Sequence, residues 1–161
     1  MDIVVCIKRV PATDTAIKIA ADGKSIETNG VSFEMNAYDE FALEQALHIL
    51  EKLGEGTVTA ITIGPKLAQK ELRDALARGA DKAVLLTTDE WVYDGAATAQ
   101  ALATWLKANP AQLVLCGKQA VDSDNNQMAG NLAARLGFAC VTEVTQLELA
   151  DGTFTAERDI E

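Results

Sequence analysis

Four short aliphatic runs, each answered by a segment of helical periodicity, constrain this chain more than any other feature. The runs are Ile3–Ile7, Thr57–Ile63, Lys82–Thr87 and Gln112–Cys116. Each is short and rich in β-branched residues, the pattern of a buried strand. The first helix is expected over Asp39–Leu53, with Leu43, Ala46, Leu47, Leu50 and Leu53 on one stripe and Gly54 as the stop. Asp39 and Glu40 fall in its first turn, where the helix dipole favours negative charge. The second helix follows Gly64-Pro65, with Pro65 suited to its first position. It turns Leu72, Ala75 and Leu76 inward and closes at Gly79. Asp94 is placed to cap the third, which buries Leu102 and either Trp105 or Leu106 and ends at Asn109-Pro110. Trp91 and Tyr93 lie in the loop before it and receive no chemical role. The fourth helix, from about Asn125 to Leu136, buries Ala129, Leu132, Ala133 and Leu136 before Gly137.

Parallel strands need crossovers, and the helices that supply them cover both faces of the sheet. The fold class is therefore α/β, a doubly wound parallel sheet, in one domain spanning residues 1–161. Two β-hairpins are appended. Ala16–Glu27 alternates around Asp22-Gly23, and Val141–Leu149 returns through Asp151-Gly152 as Thr153–Ile160. The last residues, RDIE, fall inside that return strand, so the chain is expected to be the N-terminal part of something longer.

Charge narrows the partners. Fourteen basic residues stand against 24 acidic ones, a formal charge of −10, with no basic run. A nucleic-acid groove needs Lys and Arg to displace counterions, so neither nucleic acid nor an anionic membrane is expected. No apolar run reaches the roughly 20 residues of a membrane span, and MDIVVCIKRV does not read as a signal peptide. Cys6, Cys116 and Cys140 are far apart and odd in number, and there is one histidine. A disulfide frame and a metal site are both unexpected. His48 shares its helix face with Glu44, Gln45, Glu51 and Lys52 and reads as a solvated surface residue.

In open α/β sheets a ligand lies beyond the carboxyl ends of the strands, near the point where strand order reverses. Four stretches reach that edge: Cys6–Val10, Asn36–Glu40, Thr62–Pro65 and Gly117–Met128. The last, GKQAVDSDNNQM, is far more polar than a tight connection requires. Amides opening the following helix can cradle an anion. Gly117 allows close approach of the backbone, Asn and Gln suit a base or ribose, and Asp122 or Asp124 can accept from a ribose hydroxyl. The same residues read equally well as a polar loop capped by Asp124 or Asn125. No nucleophile–base pair, G-x-S-x-G elbow, G-x-G-x-x-G or Walker loop is present, and Cys6 and Cys116 read as small buried hydrophobes. The pattern favours a binder over a catalyst.

VVCIKRVP, EMNAYDEFALEQAL, ITIGP, ALARGADKAVLL and LCGKQAVDSDNNQMAG follow one another in an order and spacing that resembles the electron transfer flavoprotein β (small) subunit, across essentially the whole chain. The resemblance implies an adenine-nucleotide α-hydrolase-like three-layer sandwich built on a five-stranded parallel sheet. It implies a subunit that is an electron carrier and not an enzyme. Such a subunit buries a structural adenine nucleotide, usually AMP, and pairs as a heterodimer with an α subunit holding most of a redox-active FAD. The dimer would pass electrons from acyl-CoA and related dehydrogenases to a membrane-bound quinone oxidoreductase, in a bacterial cytoplasm or a mitochondrial matrix. Carried over by motif, the nucleotide-binding positions are Cys6, Asn36, Ala37, Tyr38, Asp39, Ile63 and the run Gly117, Lys118, Gln119, Ala120, Val121, Asp122, Ser123, Asp124, Asn125, Asn126, Gln127 and Met128. The resemblance assigns the Asn36–Asp39 segment to the passage between adenosine and flavin, and the run from Gly117 to phosphate and ribose.

Two departures stand out. Ala37 replaces the family's usual proline, and the PATDT segment around Thr15 carries no aromatic to meet a flavin. Alternatives are an electron-bifurcating relative with FAD in the AMP place, whose loop often reads DGDTAQ in place of DSDNNQ, or a stand-alone regulatory nucleotide-binding module such as a universal stress protein. Gly117 and Gly130 do not reproduce the latter's glycine-spaced loop. An adenylating pyrophosphatase is a third class, but KRVPATDT stands where its phosphate loop belongs.

Overall fold

The computed structural model describes residues 1–89 and 94–160. Trp91 and Tyr93 lie outside them. The elements run β1 (Asp2–Cys6), β2 (Arg9–Pro11), β3 (Phe33–Met35), α1 (Ala37–Leu53), β4 (Thr57–Gly64), a 3-10 turn (Lys66–Ala68), α2 (Gln69–Arg78), β5 (Lys82–Thr87), α3 (Gly95–Ala108), β6 (Leu113–Cys116), α4 (Met128–Leu136), β7 (Val144–Ala150) and β8 (Thr153–Arg158).

The four aliphatic runs form one parallel sheet in the order β5-β4-β1-β6. The chain builds outward from β1 to β4 and β5, then returns to place β6 on the other side of β1. Strand order therefore reverses at β1, which is where such sheets open a crevice.

Alternate residues of β1 face opposite layers, as the pleat requires. Ile3 and Val5 pack with Leu43, Ala46 and Ile49 of α1 and Leu72 and Ala75 of α2. Val4 and Cys6 pack with Ala99, Leu102, Ala103 and Leu106 of α3 and Leu132 of α4. The result is a three-layer α/β sandwich.

Several details differ from the sequence reading. The described sheet has four parallel strands, not five, because β7 pairs antiparallel with β8 alone. That hairpin docks on α1 through Gln45 Nε2, which donates to the Leu147 carbonyl at 2.9 Å. The Ala16–Glu27 hairpin reduces to a single bridge, Ile19 to Ile26, around a turn in which Asp22 accepts from the Lys24 and Ser25 amides. Ile17 and Ile19 are exposed, so their side chains bury little that would extend a ladder. In α1 Ile49 joins the buried stripe, Leu47 and Leu50 pack against the core in part, and Leu53 is exposed at the last turn. In α2 Leu76 also faces solvent, while Glu71 takes a fully buried place. Of Trp105 and Leu106 in α3, Leu106 is the buried one, and Trp105 packs against the same core only in part.

Candidate functional site

The carboxyl edge of the sheet holds a cavity of about 210 Å³. Its floor is apolar, from Cys6, Ile61 and Ile63 at the strand ends and Leu102 of α3. Its rim is polar: Lys8, Asp39, Thr98, Gln119, Ser123, Asn125 and Gln127 all reach it.

Two side chains of the NAYD segment shape the rim. Asn36 is buried to 1% exposure. Its Nδ2 donates to the Gln119 carbonyl at 2.9 Å, and its Oδ1 accepts from the Val121 amide at 3.0 Å. One side chain thus grips the middle of the polar loop from both sides. Asp39, one turn on, is also buried. Its Oδ2 accepts from the Lys8 amide at 2.8 Å and its Oδ1 from the Gly117 amide at 3.1 Å. Burial pushes its pKa up from 3.8 to about 7, against the opposing pull of Asn36, the two amides and the Lys8 charge. The native chain therefore takes up this proton before the unfolded chain does. The group favours folding most below pH 3.8, and that advantage is withdrawn as pH rises to about 7.

Gly117 makes its close approach to α1. A Cβ there would stand 2.2 Å from Asp39 Oδ1 and 2.7 Å from the Tyr38 carbonyl carbon. Beyond it, Lys8 Nζ meets Asp122 Oδ1 at 2.6 Å and Gln119 Nε2 donates to Asp124 Oδ1 at 2.8 Å. Asp124 and Asn126 both hold a φ of 46°, a left-handed conformation that Asn and Asp tolerate. These bends keep residues 124–127 out of the helix, which begins at Met128 instead of Asn125. Gln127 occupies the cap position with no side-chain cap bond of its own, Asp124 is spent on Gln119, and Asn125 Oδ1 accepts from the Gln127 amide at 3.4 Å, just before the first helical residue. By contrast, Asp94 does cap α3, accepting from the Ala96 and Ala97 amides at 2.6 and 3.2 Å. Of the helix starts that line the cavity, α3's is capped by its own N-cap side chain, whereas α4's is not.

The structure brings most of the sequence-derived positions together. Cys6, Asp39, Ile63, Gly117, Lys118, Gln119, Ala120, Ser123, Asn125, Asn126, Gln127 and Met128 line the cavity. Asn36 and Val121 lie behind it and hold its wall. Ala37 and Tyr38 face outward, and Asp122 and Asp124 spend their carboxylates on Lys8 and Gln119. Sequence reasoning missed Asp89, Gly95, Thr98 and Leu102, which also line the cavity. The Asp94 cap was the available signal, since it starts α3 at the same sheet edge. The Cys6 and Cys116 thiols sit side by side on β1 and β6 and are free. The Cys116 pKa is raised well above the thiol range, first by its hydrogen bond to Cys6 and then by burial. That makes it a poor nucleophile.

Replacing Asn36 by leucine keeps the volume and removes both grips, leaving the Gln119 carbonyl and the Val121 amide unpaired. The expected cost is about 2–3 kcal/mol, read as a lower urea midpoint. A midpoint unchanged from the parent would contradict it.

The Electron transfer flavoprotein domain profile matches residues 24–161, most of the chain. The chain belongs to the electron transfer flavoprotein domain family. Among curated relatives, the electron transfer flavoprotein subunit beta of Bacillus subtilis is 39% identical over 163 residues, covering 100% of this chain and 62% of the relative. Protein FixA of Bradyrhizobium diazoefficiens is 41% identical over 165 residues, covering 96% of this chain and 56% of the relative. The subunit beta of Dictyostelium discoideum is 33% identical, covering 100% of this chain and 64% of the relative. The chain thus spans about three-fifths of the length of these electron transfer flavoprotein relatives. Among the described residues, no helix is long and apolar enough to cross a membrane, and no cluster of His, Cys, Asp and Glu could hold a metal ion.

Proposed function

We propose that this chain is the nucleotide-holding part of an electron transfer flavoprotein β subunit, with AMP in the crevice as a structural ligand. The observation that carries the reading is the α4 N-terminus. It opens into the cavity without a side-chain cap, next to a loop whose amides and carbonyls are held in place from outside. A phosphate suits such an end through unpaired N–H groups and the helix dipole. The chain carries a formal charge of −10, so local amides and not net charge must hold an anion here. Cys6, Ile61 and Ile63 offer an apolar floor for a base. Gln127, Asn125 and Ser123 offer hydrogen bonds to a ribose.

In this reading AMP does no redox work. An FAD held mainly by an α subunit supplies the electron chemistry, and the heterodimer carries electrons from acyl-CoA and related dehydrogenases to a quinone oxidoreductase. This chain's part is to bind, orient and exclude water. The names of the relatives support the subunit assignment. The complete subunit, coexpressed with a flavin-bearing candidate partner, should copurify as a yellow heterodimer. A subunit that stays monomeric and colourless with every such partner would overturn the reading.

Gln127 and Asp124 test the crevice itself. Gln127 reaches the cavity, whereas Asp124 acts through Gln119. Gln127→Ala and Asp124→Ala should each weaken AMP retention by roughly 1–3 kcal/mol, measured by equilibrium dialysis. Unchanged retention in both would place the nucleotide elsewhere.

A further inference from the structure

Asp39 occupies an unusual place. β1 and β6 run in parallel register up to the pair Cys6 and Cys116. Beyond that pair the strands part, and the crevice opens between them. Asp39 takes over where the ladder stops, one oxygen on the Lys8 amide past β1 and the other on the Gly117 amide past β6. Lys8, Asp39 and the stretch Gly117–Ala120 all line the cavity.

We propose that Asp39 is a positioning residue for the crevice, tying the end of β1 to the end of β6 as a carboxylate and thereby holding Gly117–Ala120 where a nucleotide can be retained. The proposal rests on the nucleotide reading above. The Lys8 and Gly117 amides both donate to Asp39, and the Asn36 side chain pulls in the same direction, so the group needs two acceptors. A carboxylate supplies them. An asparagine at this position turns an NH₂ toward one of the donors, and a protonated carboxyl turns an O–H toward one of them. Nor can the clamp slide, because Gly117 sits against Asp39 with no room for a single added carbon.

The charged and titratable groups acting on Asp39 are Lys8 on the β1 side and Cys116 on the β6 side. The Lys8 ammonium is shared with Asp122. Burial places the Asp39 pKa at about 7, so the clamp opens by protonation just below neutral pH. This sign is opposite to the group's effect on folding, which is more favourable in its protonated form. A purely structural role would strengthen the protein toward acid, while the clamp loosens its hold on the ligand.

Two measurements on the native full-length subunit with its natural partner test this. The first is the release rate of radiolabelled AMP between pH 6 and 8.5. The parent should release it about tenfold faster at the acid end, and Asp39→Asn should release it fast at every pH, retaining only the phosphate's own titration. Equal retention and equal pH profiles in both proteins would overturn the proposal. The second needs no variant and no nucleotide. The amide resonances of Lys8 and Gly117 should titrate together with a midpoint near 7. Their failure to titrate between about pH 5 and 9 would also overturn it. If the amides titrate but no AMP is held at any pH, the nucleotide reading fails while the clamp stands.

Discussion

Gly117→Ala is expected to destabilise the chain by at least about 3 kcal/mol and to lower its melting temperature by roughly 6–12 °C. The physical ground is steric. The new carbon would stand 2.2 Å from Asp39 Oδ1, 2.7 Å from the Tyr38 carbonyl carbon and 2.8 Å from the Asp39 amide nitrogen. Two of those three neighbours are backbone atoms of the first turn of α1, which no rotamer change can move. Relief requires either α1 or the end of β6 to shift. The same shift breaks the bond between the Gly117 amide and Asp39 and displaces the loop that follows. Loss of stability and loss of nucleotide should therefore appear together. A variant melting within about 2 °C of the parent would show that the contact is looser than described.

Arg9→Met is expected to cost about 3–5 kcal/mol, because it leaves a buried carboxylate without its countercharge. Glu71 on α2 is fully buried, and Arg9 Nη1 meets its Oε1 at 2.6 Å. The guanidinium also lies over the Phe33 ring, 4.1 Å from its centroid, and so pins the β2–β3 ladder to α2. Among the described residues, Glu71 Oε2 has no hydrogen-bond partner, so the pair is half-satisfied. Such a half-satisfied pair is a costly way to fill space, and an apolar pair of similar size is often as stable. The double variant Arg9→Met with Glu71→Leu should accordingly recover most of the loss. Urea unfolding of the two singles and the double gives the coupling directly. Single variants costing under about 1 kcal/mol would contradict the account.

What sequence could and could not show follows from the range of the interactions. β1, β4, β5 and β6 were legible because a buried parallel strand is an unbroken aliphatic run, and the resulting sheet shows its strand reversal at β1. The start of α3 was legible because Asp94 caps it locally. Asp39 was legible as a first-turn acid and as a motif position at the site, but not as a clamp between two strand ends. Its partners, Lys8 and Gly117, lie 31 and 78 residues away, and no local pattern announces them. Nothing in KLAQKELRDAL marks Glu71 as buried, for the same reason, its partner being 62 residues distant. Gly117 was recognised as a point of close approach, but its neighbour proved to be a helix start. Whether the Gly117–Met128 stretch is a ligand cradle or a capped polar loop stayed open in the sequence because the order of its early part comes from Asn36, again remote in sequence.

The central claim is that amides at the start of α4, with the loop before it, hold an adenine nucleotide that does not react. The most direct test is to purify the full-length subunit with its natural partner, denature it, and identify the released small molecules by mass spectrometry. The account predicts AMP in a one-to-one ratio with this chain, beside the partner's FAD. Release of no adenosine-containing molecule attributable to this subunit would contradict it.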